Sequence, residues 1–247
     1  MRRVRNWVIA AFPFNPILWL RNTKRMMRLA DEAKARPKPS SFGDVLRIIV
    51  PVMPWNETDV PWFSVMCGLL LNNAGHDVAF VIDDLAFGCQ PWRRSFILTC
   101  IRTVMRRLDS GFNVVSLSTF VGPEVLNTSG SDRVHKLAAL NALRDLRGEM
   151  VMEGRAETTA LFERQLRRAK TAIEAFLAGS SCDVVVLPGG IHASSGVWNE
   201  SARDIGSRVA TFDGGVSGTA LWAMDGIACH FADVPSMFER LLHEAGP

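Results

Sequence analysis

Short runs of apolar, mostly β-branched residues recur along this chain, and helical patterns separate them. Leu46 to Val52 reads LRIIVPV, Asp77 to Ile82 reads DVAFVI and Asp183 to Leu187 reads DVVVL. None alternates apolar with polar residues, so each must bury both faces. Between them lie segments with apolar residues at helical spacing. The clearest runs from Glu157 to Leu177, where Phe162, Leu166, Ala169, Ile173 and Phe176 follow at intervals of three and four. Strands joined through helices must be parallel with right-handed crossovers. The pattern therefore predicts an α/β fold: a doubly wound, mostly parallel Rossmann-like sheet with helices on both faces.

Further helices are expected at Pro61 to Gly75, Ser95 to Leu108, Ser131 to Arg147, Ser195 to Ile205 and Val234 to Glu244. Further strands are expected at Asn113 to Leu117, Arg208 to Phe212 and Gly226 to Phe231. Ligands of such sheets bind beyond the carboxyl ends of the strands. The expected rim comprises Pro51 to Thr58, with Asn56 and Glu57, then Asp83 and Asp84, Pro188 to Ser195, Asp213 to Thr219, and His230.

Charge divides the chain in two. Residues 1–36 carry nine Lys and Arg against Asp31 and Glu32, a net of +7, while the remainder carries nineteen against twenty-three acids, a net of −4. Residues 1–41 read as a basic amphipathic arm with a linker, and 42–247 as the Rossmann-like domain. In the arm, Asn15 and Pro16 suit an N-cap and first helical position. Leu20, Thr23, Met27 and Ala30 mark one face, with Trp19 and Met26 beside it, and Arg21, Lys24, Arg25 and Arg28 mark another. A basic helix bearing Trp and Met suits an anionic membrane surface. The apolar run Trp7 to Leu20 is too short and too broken to span a bilayer. The mildly acidic body gives no reason to expect nucleic acid. Five cysteines without a CxxC pair fit a reducing compartment, hence a cytoplasmic protein peripheral to the membrane.

Several chemistries find weak support. A dinucleotide fold needs a glycine turn after its first strand, and here that turn reads Pro51-Val52-Met53-Pro54-Trp55. Asp83 and Asp84 then read as a solvated strand end. No P-loop is present, and no ligand cluster suggests a metal. Pro188-Gly189-Gly190 resembles the turn of class I glutamine-amidotransferase-like proteins, but the elbow after the next strand reads Thr211-Phe212-Asp213 and holds no cysteine. Cys229 comes later, so a Cys229-dependent enzyme is the lesser alternative.

The stretch from Asp183 to Asp233 is richer. His192 follows the glycine turn and precedes a helix, where a general base can sit. Glu200 lies one turn into that helix and Asp213 ends the next strand. Free N–H groups near Ser194, Ser195 and Gly196 could receive an anion. The pattern P-x-G-I-x-x-x-x-G-x-x-x-E-x-A-R-x-x-G-x-R-V-A-T-x-D, from Pro188 to Asp213, is followed by Asp225-Gly226, His230 and Asp233-Val234-Pro235. It resembles the N-terminal, acceptor-side half of glycosyltransferases of capsule and exopolysaccharide biosynthesis, of GT-B type. Leu69 to Asp84, LLLNNAGHDVAFVIDD, is similar to the helix and GHxV strand that open many such enzymes.

The resemblance implies transfer from a nucleotide-sugar donor to a growing polysaccharide or lipid-linked glycan acceptor, with no further cofactor. It implies His192 as first choice of base and Asp213 as second. Gly189, Gly190, Ser194, Ser195, Glu200, His230, Asn56 and Glu57 would contact or orient substrate. It also implies a donor-binding domain, which the sequence up to Pro247 does not contain: either this chain is part of a longer protein, or a separate chain supplies that domain. The competing expectation is a non-catalytic Rossmann-like binding or assembly domain.

Overall fold

The computed structural model describes residues 14–35, 44–55, 59–85, 91–122, 132–145, 152–214 and 220–229. In chain order the elements are α1 (Pro16–Ala35), β1 (Arg47–Val52), α2 (Asp59–Asn73), β2 (Asp77–Ile82), α3 (Pro91–Leu108) and β3 (Asn113–Ser116). After a 3-10 turn at Leu117–Phe120 come α4 (Asp132–Asp145), α5 (Met152–Ala178), β4 (Val184–Pro188), α6 (Ser195–Asp204), β5 (Arg208–Gly214) and β6 (Ala220–Met224). The strands form one six-stranded sheet in the order β3-β2-β1-β4-β5-β6. All neighbours are parallel except β5 and β6. The architecture is α/β, consistent with a Rossmann-like fold.

Successive side chains of a strand point to opposite faces, and β1 shows what that builds. Ile48, Val50 and Val52 join an apolar cluster containing Trp19 of α1, Trp62 and Val65 of α2, and Ile97 and Ile101 of α3. Ile49 joins a second cluster containing Leu137 of α4, Leu166 and Ile173 of α5, and Trp198 of α6. Consecutive residues of one strand therefore feed separate cores, which is why no polar residue occurs from Ile48 to Val52. The helical stripe read in α5 lies in the second core, with Phe162, Leu166, Ala169, Ile173 and Phe176 all buried.

The Asn15 side chain accepts hydrogen bonds from the N–H groups of Ile17 and Leu18, both at 3.1 Å, and Pro16 opens α1. The buried face of α1 is Trp19, Thr23, Met26 and Ala30. This corrects the expected face, since Leu20 stays 51% exposed. Trp19 packs edge-on against Trp62 at 5.5 Å between ring centroids.

The last described strand is also displaced from its expected place. It is Ala220–Met224, not Gly226 to Phe231, and it runs antiparallel to β5. Three helices start earlier than their patterns suggest, at Asp59, Pro91 and Met152. The helix expected at Val234 to Glu244 lies outside the described residues, as do most of the linker and the first thirteen residues of the arm.

Candidate functional site

Asp83, the Pro188 to Ser195 loop and Asp213 lie at the carboxyl ends of β2, β4 and β5, and glycine shapes the loop among them. Strand β4 ends at Pro188 and the chain turns through Gly189 and Gly190, at φ values of 68° and 92°. A side chain on Gly190 would be strained at that φ and would bring its Cβ within 2.9 Å of the Thr211 methyl. The turn leads through Ile191, His192 and Ala193 into α6. Gly196, in the first turn of α6, lies so close that a Cβ there would come within 2.7 Å of the Ile191 carbonyl oxygen.

Several polar groups of this loop are committed to the protein. The Ser195 hydroxyl donates to the Pro188 carbonyl and accepts from the Gly190 N–H. The Ser195 N–H goes to the His192 carbonyl at 3.1 Å. The Ala193 N–H goes to the Asn141 side-chain oxygen on α4 at 2.7 Å. Asn199 of α6 donates to the Gly190 carbonyl at 3.3 Å. Ser194 and Ser195 are fully buried. The expectation that Ser195 offers a free N–H to an anion is therefore corrected, because its own turn consumes that donor.

The Ser194 hydroxyl instead donates to Asp83 at 2.5 Å, across β1 in the sheet. The Trp198 indole N–H donates to the same carboxylate oxygen at 3.0 Å. Asp83 is fully buried, and burial pushes its carboxyl up to about 6 against those two hydrogen bonds, with the charge of Asp84 adding to the rise. Asp84 has the opposite fate. Burial works against its charge too, but the hydroxyls of Ser116 and Ser118, the Ser118 N–H and the Arg102 guanidinium hold its carboxyl below the usual value. Those contacts measure 2.6, 2.7, 2.8 and 2.9 Å. The pair is therefore no solvated strand end, as the sequence suggests. Both acids are interior groups, one poised near neutrality and one held ionised.

His192 is 8% exposed. Asp213 is partly exposed at the end of β5, where its carboxylate accepts the Gly214 N–H at 2.8 Å. The register pairs Pro188 with Phe212, so the His192 loop and Asp213 leave from adjacent strands at one edge. Burial raises the Glu200 carboxyl, and the charges that act on it are Arg133 of α4, Lys170 of α5 and Asp204 at the end of its own helix. Its charged neighbours belong to the helical layer. Asn56, Glu57 and His230 lie outside the described residues.

Local pattern did not point to the roles of Trp198, Asn199, Thr211 and Cys229. The Thr211 hydroxyl donates to the Gly226 carbonyl at 3.0 Å and accepts the Ala228 N–H at 2.8 Å. The Cys229 N–H donates to the Gly189 carbonyl at 3.0 Å, and its side chain covers Gly189. The segment after β6 is thereby fastened over the glycine turn.

Two cavities of about 350 and 280 Å³ open at the other end of the sheet. They are lined by Asp77, Gly111 and Asn113, and by Arg47, Asn113 and Ser180. Among the described residues no group of His, Cys, Asp and Glu could hold a metal ion. No helix among them is long and apolar enough to cross a membrane. No model of a known protein family matches the chain, and a search of curated proteins finds no match either.

Proposed function

We propose that the chain is the acceptor-side half of a two-domain, nucleotide-sugar-dependent glycosyltransferase, built on a doubly wound sheet and working at the cytoplasmic face of a membrane. The observation that carries this reading is the β4–α6 loop. It carries His192 between β4 and α6, where the Ser195 hydroxyl, the Ala193 N–H and the Ser194 hydroxyl are bonded to Pro188, Asn141 and Asp83, and the partly exposed Asp213 ends the adjacent strand. A loop so constrained keeps a base in one position, which is what proton transfer requires.

On this reading His192 takes the proton of an acceptor hydroxyl as that oxygen bonds to the anomeric carbon of the donor. The bond from that carbon to the nucleoside diphosphate breaks, and the diphosphate leaves with the electron pair. Asp213 orients the acceptor or the base. A second domain brings the donor.

The test is sugar transfer from radiolabelled nucleotide sugars to a membrane extract, in the presence of the donor-binding chain. His192→Ala is expected to lower kcat by about 10²–10⁴ with the circular dichroism spectrum unchanged, and Asp213→Asn to lower it less. Unchanged transfer in both would favour a binding or assembly domain without chemistry of its own. Full activity in Cys229→Ser would eliminate the cysteine-dependent alternative.

A further inference from the structure

We infer that α1 and the start of α3 form one surface that docks on an anionic lipid bilayer and turns the carboxyl end of the sheet toward it. The two helices lie side by side and run in the same direction. At one end Phe14 meets Trp92 and Phe96 of α3, with ring centroids 5.4 and 5.7 Å apart. At the other end Asp31 pairs with Arg107 at 3.7 Å and Lys34 donates to Ser110 at 3.2 Å. Helix α3 follows β2, so it starts at the carboxyl end of the sheet, and the start of α1 lies there with it.

Trp19, Thr23, Met26 and Ala30 spend one face of α1 on the core. At 100° per residue the opposite face carries Ile17, Arg21, Lys24, Arg25 and Arg28. The four cations are exposed, and none forms an ion pair among the described residues. No acid occurs between Phe14 and Ala30. Leu20 falls on the same stripe as Asp31, the stripe turned to α3. Large apolar side chains are exposed at this end: Ile17 at 77%, Trp92 at 57% and Leu20 at 51%. The Arg93 guanidinium lies over the Trp92 and Phe14 rings, at 5.2 and 5.6 Å.

Cations beside exposed Trp, Ile and Leu fit a headgroup layer with acyl chains beneath it. Nucleic acid would use the cations and leave the aliphatic side chains in water. One consequence rests on the transferase reading: an acceptor presented at the bilayer, a lipid-linked glycan, would meet the site edge directly.

The experiment is co-sedimentation of the full chain with vesicles of phosphatidylcholine alone or mixed two to one with phosphatidylglycerol. Binding to the mixed vesicles only, weakening with salt, is expected. Replacing Arg21, Lys24, Arg25 and Arg28 together by Gln is expected to weaken binding at least about tenfold. Replacing the three arginines by Lys is expected to preserve it. Ile17→Gln with Leu20→Gln removes exposed side chains, so the fold should survive, and binding should fall several-fold. Equal binding to neutral vesicles, or parental binding by the Gln variant, would overturn the inference. So would an apolar double variant that binds vesicles normally while a single-stranded oligonucleotide competes for the chain. No transfer step enters this assay. Its failure leaves the transferase reading standing, and loss of transfer in His192→Ala leaves vesicle binding intact.

Discussion

The two ends of the sheet treat polar groups in opposite ways. At the amino end Arg47 and Asp183 approach to 3.8 Å with side chains 54% and 41% exposed, and water screens them. At the carboxyl end Asp83, Ser194 and Trp198 bond to one another with no exposure at all. A polar group in water gains little from a partner, and a dehydrated one suffers badly without it. The carboxyl end is therefore where the fold holds groups in fixed positions at a cost in free energy. The amino end is ordinary surface, although the two cavities open there.

The contrast can be broken at Asp83. Asp83→Ala leaves the enclosed Ser194 hydroxyl and Trp198 indole N–H without their acceptor. A loss of about 3 kcal/mol is expected in urea unfolding at pH 7. A loss below about 1 kcal/mol would mean that the link between β2 and the loop is incidental.

A smaller effect follows from protonation. The Asp83 carboxyl titrates near 6 in the folded protein and near 3.8 when unfolded. Between those values the native state binds more protons, so stability falls as pH rises. About 1 kcal/mol should be lost between pH 5 and pH 7, out of about 3 kcal/mol over the whole window. Asp83→Asn should remove that slope. Asp84 does not compete in this range, because its depressed carboxyl loses its contribution only at more acid pH. Smallest of all, Arg47→Ala should change stability by less than about 0.5 kcal/mol. A larger loss would show that the amino end is not the passive surface described.

Where burial is two-sided and the chain is its own evidence, the sequence reads correctly. The runs at β1, β2 and β4 had to be interior strands because nothing polar interrupts them. Strand β6 was misplaced because Ala220–Met224 is a half-exposed edge of five residues with no such signature. Its antiparallel course is a matter of topology rather than local pattern. The acids of β2 were misjudged for another reason. The environment of Asp83 is set by Ser194 and Trp198, 111 and 115 residues away in sequence, and that of Asp84 by Arg102, Ser116 and Ser118, 18, 32 and 34 residues away, and no local window contains that information. Glu200 follows the same logic, since its place one turn into α6 gives proximity to the loop in sequence, while its charged neighbours Arg133 and Lys170 belong to α4 and α5.

Helix α5 has one more implication. Its 27 residues span about 40 Å, whereas the 5 residues of β4 span about 17 Å. It descends to the amino end of β4, so the surplus projects past the opposite edge. Burial agrees, because among the described side chains of this helix the first buried one is Phe162. The first turns of this helix thus extend beyond the carboxyl end of β4, the end from which the His192 loop leaves. Leu161, 45% exposed, stands at the point where that extension meets the core.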